Sequence, residues 1–215
     1  MRRERGRIGC GCLFMLLIVV LVVLAVLFHP LSLKFVGKQL LYADKANSSD
    51  IAFVPCFRED KNGEVYKAAI EELKKGSVKA IWIEEYTLLD TSVTQLIKGM
   101  AKSKGIKGDL IKGVRLDGKE KEKSKSLIEM CKKAGIKKVM ILVPEYASRR
   151  YKVLYGESGT KGPLFFVNPV KVTFFNVEKW WRETLSRELV IREYAAIGSL
   201  YFDELKKEKI FRIKA

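Results

Sequence analysis

The sequence predicts an α/β domain of about 180 residues on a parallel sheet covered on both faces, carried behind one N-terminal membrane-spanning helix. Three observations predict it. An uncharged run, Ile8–Phe28, opens the chain. After it, short apolar runs alternate with stretches whose apolar residues repeat at helical spacing. The short runs are continuous rather than alternating, which suits strands buried on both faces.

The opening run reads IGCGCLFMLLIVVLVVLAVLF, 21 residues. As a helix it spans roughly 31 Å, about the hydrocarbon thickness of a bilayer. A cleaved secretory signal is the competing reading, but its apolar core is normally shorter and ends at a small-x-small site. Here the exit is Phe28-His29-Pro30-Leu31, and Cys10 and Cys12 precede the apolar core. Arg2, Arg3, Arg5 and Arg7, opposed only by Glu4, place the N-terminus in the cytoplasm and the domain outside the inner membrane. The expected division is a tail over 1–7, a span over 8–29, a juxtamembrane connector over 30–49, the domain over 50–207 and a tail over 208–215.

Within the connector, Leu33, Phe35, Val36, Leu40 and Leu41 can form a short amphipathic stretch, and Asn47-Ser-Ser-Asp50 is a turn cluster. Ile51–Phe57 and Lys79–Tyr86 read as strands flanking a helix with Val65, Ala69, Ile70 and Leu73, which Gly76 ends. Asp90 or Thr91 caps a helix carrying Val93, Leu96, Ile97 and Met100. Asp109–Leu116 is a third strand and Lys119–Ala134 a helix. Lys138–Val143 is the clearest central strand, followed by a helix from Arg149 to Tyr155 and a strand over Pro163–Val167. Thr184 to Lys207 closes the chain as an amphipathic helix. In such a sheet, ligands bind outside the carboxyl ends of the strands, here Pro55-Cys56, Glu84-Glu85, Asp117-Gly118, Pro144-Glu145-Tyr146 and Asn168.

Net charge is +16, of which Met1–Arg7 supplies +3, leaving +13 beyond the span. A basic domain tethered beside a bilayer is drawn to anionic headgroups or envelope polymers. Nucleic acid, the usual alternative for a basic protein, does not fit an anchored domain outside the cytoplasm. Ordinary surface lysine explains the charge about as well. His29 is the sole histidine, so a Ser-His-Asp or Cys-His centre in the domain is excluded. No Cys/His spacing suits zinc, and no metal or cofactor is expected. Cys56 and Cys131 occupy core-like positions, and whether they pair is left open.

Two segments carry a resemblance. After the Lys138–Val143 strand stands Pro144-Glu-Tyr146-Ala147-Ser148-Arg149-Arg150-Tyr151, and Trp180-Trp181 precede a helix containing Glu193. Over about Asp50 to Phe202 the chain resembles the YdcF-like family, including its SanA-like and ElyC-like envelope proteins. These typically follow a strand with a segment like T-S-x-Y-H-S-R-R-A. The resemblance implies a Rossmann-like, three-layer fold and a role in envelope biogenesis or barrier integrity. It implies ligand contacts at Tyr146, Ser148, Arg149, Arg150 and Glu193. The chain departs from the family where glycines usually end the first two strands. Pro55-Cys56 and Glu84-Glu85-Tyr86 stand there, and Ala147 replaces the histidine. An altered pocket follows.

Arg149-Arg150 after a central strand suits a phosphate or carboxylate, because guanidinium offers a bidentate fork. A solvated helix start paired with acids such as Glu145 is the plainer reading. Glu84 and Glu85 are the weak candidates for general base, although strand alternation directs at most one of them into a cleft. A salt bridge with Arg149 or Arg150 filling the former pocket suits them better. Glu193 either orients one of those arginines or faces solvent. Trp180 and Trp181 serve as interfacial anchors or, more commonly, as a lock for the terminal helix. Lys119–Lys125 reads as a solvated helix face, and Cys56 lacks an activating histidine. Binding of an anionic, phosphate-bearing or lipid-linked envelope precursor is favoured over catalysis. An enzyme acting on such a precursor and a structural member of a membrane complex are the alternatives.

Overall fold

The computed structural model describes residues 7–45, 48–88, 91–156 and 162–214, with the side chains of 7–12, 27, 88 and 203–214 outside the description. Helix α1 (Arg7–Leu27) takes the apolar run, and its described side chains from Leu13 to Val26 are all exposed. Helix α2 (Pro30–Gln39) follows after Phe28 and His29. Pro30 opens it, and His29 caps it by accepting the Leu31 N–H on Nδ1 at 3.3 Å. Among the described residues, no single helix is long and apolar enough to cross a membrane. Leu13–Val26 and Pro30–Gln39, bent by 57°, meet that requirement only as a pair.

The domain is an α/β unit on a five-stranded, all-parallel sheet. Its elements are β1 (Ser49–Val54), α3 (Glu64–Lys74), β2 (Val78–Glu84), a short hairpin of β3 (Thr87–Leu88) and β4 (Thr91–Ser92), and α4 (Val93–Ser103). There follow β5 (Ile111–Val114), α5 (Glu120–Lys133), β6 (Lys138–Pro144), α6 (Ser148–Tyr155), β7 (Leu164–Val170) and α7 (Thr184–Lys214). The sheet order is β5-β2-β1-β6-β7. The chain therefore winds outward from β1 to β5, then crosses back to β6 on the other side. This is the Rossmann-like arrangement, with the order reversing between β1 and β6. Ile51, Ala52, Phe53 and Val54 of β1 and Val139 to Val143 of β6 are buried, as strands covered on both faces require.

Local chemistry moves several expected boundaries. The strand expected over Ile51–Phe57 starts at Ser49 and stops at Val54. The Ser49 N–H donates to Ser77, while the Asp50 carboxylate accepts the N–H groups of Lys137 and Lys138 at 3.0 Å. Ser49 and Asp50, expected in a turn, therefore initiate the sheet; Asn47 lies outside the described residues. The cap of α4 is Ser92, whose Oγ accepts the Gln95 N–H, while Thr91 belongs to the hairpin. Asp90 lies outside the described residues. The edge strand β7 is blunted by the connector. Asp44 donates its N–H to Val167 O, and its carboxylate accepts the Val167 N–H, both at 2.9 Å.

Trp180 locks α2 onto the domain. Its Nε1–H donates to Leu33 O at 2.6 Å, and its ring lies so close to Gly37 that a Cβ there would sit 2.6 Å from Cδ1. Tyr194 of α7 donates its hydroxyl to Val36 O at 2.8 Å, and Lys34 and Lys38 both pair with Glu178. The indole thus fastens the connector as well as the start of the terminal helix.

Candidate functional site at the carboxyl edge

A cleft of about 510 Å³ opens outside the carboxyl ends of β1, β2 and β5, closed over by α5, α6 and α7. This is where a parallel sheet offers a ligand site. The loop after β1 contributes Cys56, Arg58 and Glu59; β2 and the residue after it contribute Glu84 and Glu85. Glu120 and Lys123 come from α5, Arg150 and Tyr151 from α6, Arg192 and Glu193 from α7.

The floor is a buried ion pair. Arg150 reaches Glu193 through Nε at 2.6 Å and through a terminal nitrogen at 3.0 Å, a bidentate fork. Its other terminal nitrogen meets Glu120, and its plane lies over the Tyr151 ring at 4.9 Å. Desolvation would lower the Arg150 pKa, but Coulombic support from Tyr151 and Glu193 and the Glu193 hydrogen bond together outweigh it and raise it. Glu84 is nearly buried; it accepts the Cys56 N–H at 2.9 Å and Lys123 Nζ at 2.6 Å. Glu59 accepts the Tyr146 hydroxyl at 2.6 Å and pairs with Arg192.

The two glutamates at the end of β2 diverge in an unexpected way. Both line the cleft, because the strand ends at Glu84 and its alternation no longer directs Glu85. Glu85 accepts hydrogen bonds from Ser92 at 2.9 Å and from Thr94, and lies over Gly113, where a Cβ would collide with it. Desolvation raises its pKa, but these hydroxyl donors outweigh it and hold the carboxyl below the usual range. Neither glutamate pairs with Arg149 or Arg150; Lys123 takes Glu84 instead.

Of the expected ligand residues, Arg150 and Glu193 line the cleft, whereas Tyr146, Ser148 and Arg149 do not. Tyr146 is fully buried against Phe174 and Phe175. Ser148 is a junction: its Oγ accepts the Tyr42 N–H and donates to Glu145 O, both at 2.7 Å. Arg149 turns to the connector, with its N–H on Leu40 O, its Nε on Gln39 O at 3.1 Å and its guanidinium over Tyr42. Helix geometry explains the split, since consecutive residues project about 100° apart. Cys56 and Cys131 are free thiols, and burial, aided by the Glu84 charge, pushes Cys56 up to about 11. At neutral pH the raised pKa keeps that thiol in its protonated, less nucleophilic form.

Sequence reasoning missed Arg58, Glu59, Glu120 and Arg192. For the first two a signal existed: Cys56-Phe-Arg-Glu-Asp60 directly follows β1, where loop residues reach the cleft. Lys123, taken for part of a solvated face, reaches Glu84. In the pairs formed by Lys123 and Arg192 the cation is the outer member. Lys123 is 34% exposed over Glu84 at 11%, and Arg192 55% over Glu59 at 14%. Arg58 is exposed beside them, with no ion-pair partner among the described residues. Among the described residues, no group of His, Cys, Asp and Glu is arranged to hold a metal ion. Neither a protein-family model nor a curated protein matches this chain.

Proposed function

We propose that the protein is a single-pass inner-membrane protein whose extracytoplasmic domain binds an anionic, phosphate-bearing envelope precursor at this cleft without transforming it. One observation carries the binding half: Arg58, Lys123 and Arg192 line the cleft, Arg58 exposed and with no ion-pair partner among the described residues, Lys123 and Arg192 each more exposed than the carboxylate it pairs with. A phosphate arriving from solvent meets charge-assisted donors first. The ligand contacts move accordingly from Arg149 to these three cations, with Arg150 and Glu193 as the rigid floor. Turnover is the weaker reading. Glu84 is tied to Lys123 and a backbone N–H, and Glu85 is held ionised by hydroxyl donors rather than poised near neutrality. The anchor is supported by α1, a 21-residue helix whose described apolar side chains the domain leaves uncovered. The envelope role rests on the resemblance to the YdcF-like family.

The test is calorimetric titration of the full chain in nanodiscs with inorganic diphosphate and with a short-chain prenyl diphosphate. Arg58→Ala removes a cation without stranding a buried acid. The loss of one charge-assisted contact is expected to weaken binding by roughly tenfold or more. Undetectable binding to the wild-type chain, or equal binding by the Arg58→Ala variant, would sink the proposal.

A further inference from the structure

We infer that the outer face of α2 is a bilayer contact that seats the domain against the headgroups in one fixed orientation; this rests on the proposal that α1 is a membrane anchor. Leu31 and Phe35, one helical turn apart on α2, form an apolar stripe 70% and 63% exposed, and Phe28, 70% exposed, stands just ahead of the helix. The other side of α2 is occupied. Leu33 and Val36 pack on the core, Gly37 abuts Trp180, and Leu40 beyond its end is fully buried. The stripe therefore points away from the domain.

Geometry places it at the membrane surface. Only Phe28 and His29 separate α1 from α2, and the two axes differ by 57°. With α1 along the bilayer normal, α2 climbs about 0.8 Å per residue, so Phe35 stands only about 4 Å above the start of α2. The interfacial layer beyond the hydrocarbon is about 5–7 Å thick on each side. Leu31 and Phe35 thus lie within it, where an apolar strip on a short helix is stable and where in water it would be a liability. Lys34 and Lys38 share a single carboxylate, Glu178, so the helix keeps net positive charge, the sign that anionic headgroups attract. Because α2 is clamped by Trp180 and Tyr194, its seating fixes the orientation of the whole domain.

The experiment is site-specific photocrosslinking of the full chain in vesicles of phosphatidylglycerol and phosphatidylethanolamine. p-Benzoylphenylalanine is placed in turn at Leu21, Phe35 and Leu96. Leu21 reports on the anchor, and Leu96, an exposed apolar residue of α4, is the solvent control. Lipid adducts at 21 and 35, with none at 96, are expected. Adducts at 21 but not at 35 would overturn the inference while leaving the anchor intact. A protein–protein adduct at 35 would assign the stripe to a second copy and overturn it as well. No lipid adduct at 21 would remove the anchor and the inference together.

Discussion

Arg149 and Arg150 are neighbours in the sequence but belong to different regions of the molecule. One serves the clamp that holds the connector to the domain; the other forms the floor of the carboxyl-edge cleft. In the clamp, a half-exposed guanidinium donates to one backbone carbonyl, Gln39 O, and lies over the Tyr42 ring, contacts that any long cation could approximate. In the cleft, a guanidinium 8% exposed holds a carboxylate 1% exposed, so each charge depends on the other. Residue type therefore did not assign the role. Burial of the partner did.

Four measurements test this contrast, and the cleft floor should respond most. Arg150→Ala strands the buried Glu193 charge, and a loss of about 3–5 kcal/mol in urea unfolding is expected. Adding Glu193→Leu to Arg150→Leu should recover most of it, since an apolar pair of similar volume replaces both charges. A double variant as unstable as Arg150→Ala would show that the pair is not the source. Next comes the clamp at its tightest point. Gly37→Ala drives a methyl group into the Trp180 ring and should cost about 1–3 kcal/mol by thermal melting. An unchanged melting temperature would place Trp180 elsewhere.

Asp44, which joins the connector to the edge strand, is expected to matter somewhat less. Desolvation raises its pKa, but hydrogen bonds from the Val167 N–H, Tyr42 and Lys152 outweigh it and hold the carboxyl below its usual range. Because the folded value is depressed, the stabilisation is complete above the ordinary aspartate range and is lost as pH falls through the folded value. Asp44→Asn should therefore cost about 1–2 kcal/mol at pH 7. The gap to wild type should narrow below about pH 4. A gap constant between pH 7 and pH 3 would rule out this carboxylate as its source. The smallest effect is Arg149→Ala, expected below about 1 kcal/mol because its contacts are solvent-exposed. A loss as large as that of Arg150→Ala would erase the contrast between the two regions.

Much of the architecture was legible in the residues. Continuous apolar runs such as Lys138–Val143 marked buried parallel strands, and Gly76, Gly105 and Gly135, all at positive φ, closed the helices that precede the next strands. The limits came where two elements meet. Nothing local distinguishes Asp50 as the acceptor for Lys137 and Lys138, since 87 residues of chain separate the first pair. Likewise Trp180 read as a lock for the terminal helix, and nothing local revealed that its indole also fastens the connector, 147 residues earlier at Leu33.

The order of residues alone specified the apolar opening helix, the alternation of strands and helices, the carboxyl edge as the place for a cleft and the exclusion of a histidine-based centre from the domain. Each of these follows from composition or from spacing along one element, which are local quantities. Which charges share a cleft, which lie underneath and which are more exposed was set by the folded arrangement. Pairing Lys123 with Glu84, Arg192 with Glu59 and Arg150 with Glu193 depends on the crossover that brings α5, α6 and α7 over the strand ends. Coulombic interactions and desolvation act through space, and the spacing of residues along the chain does not encode them.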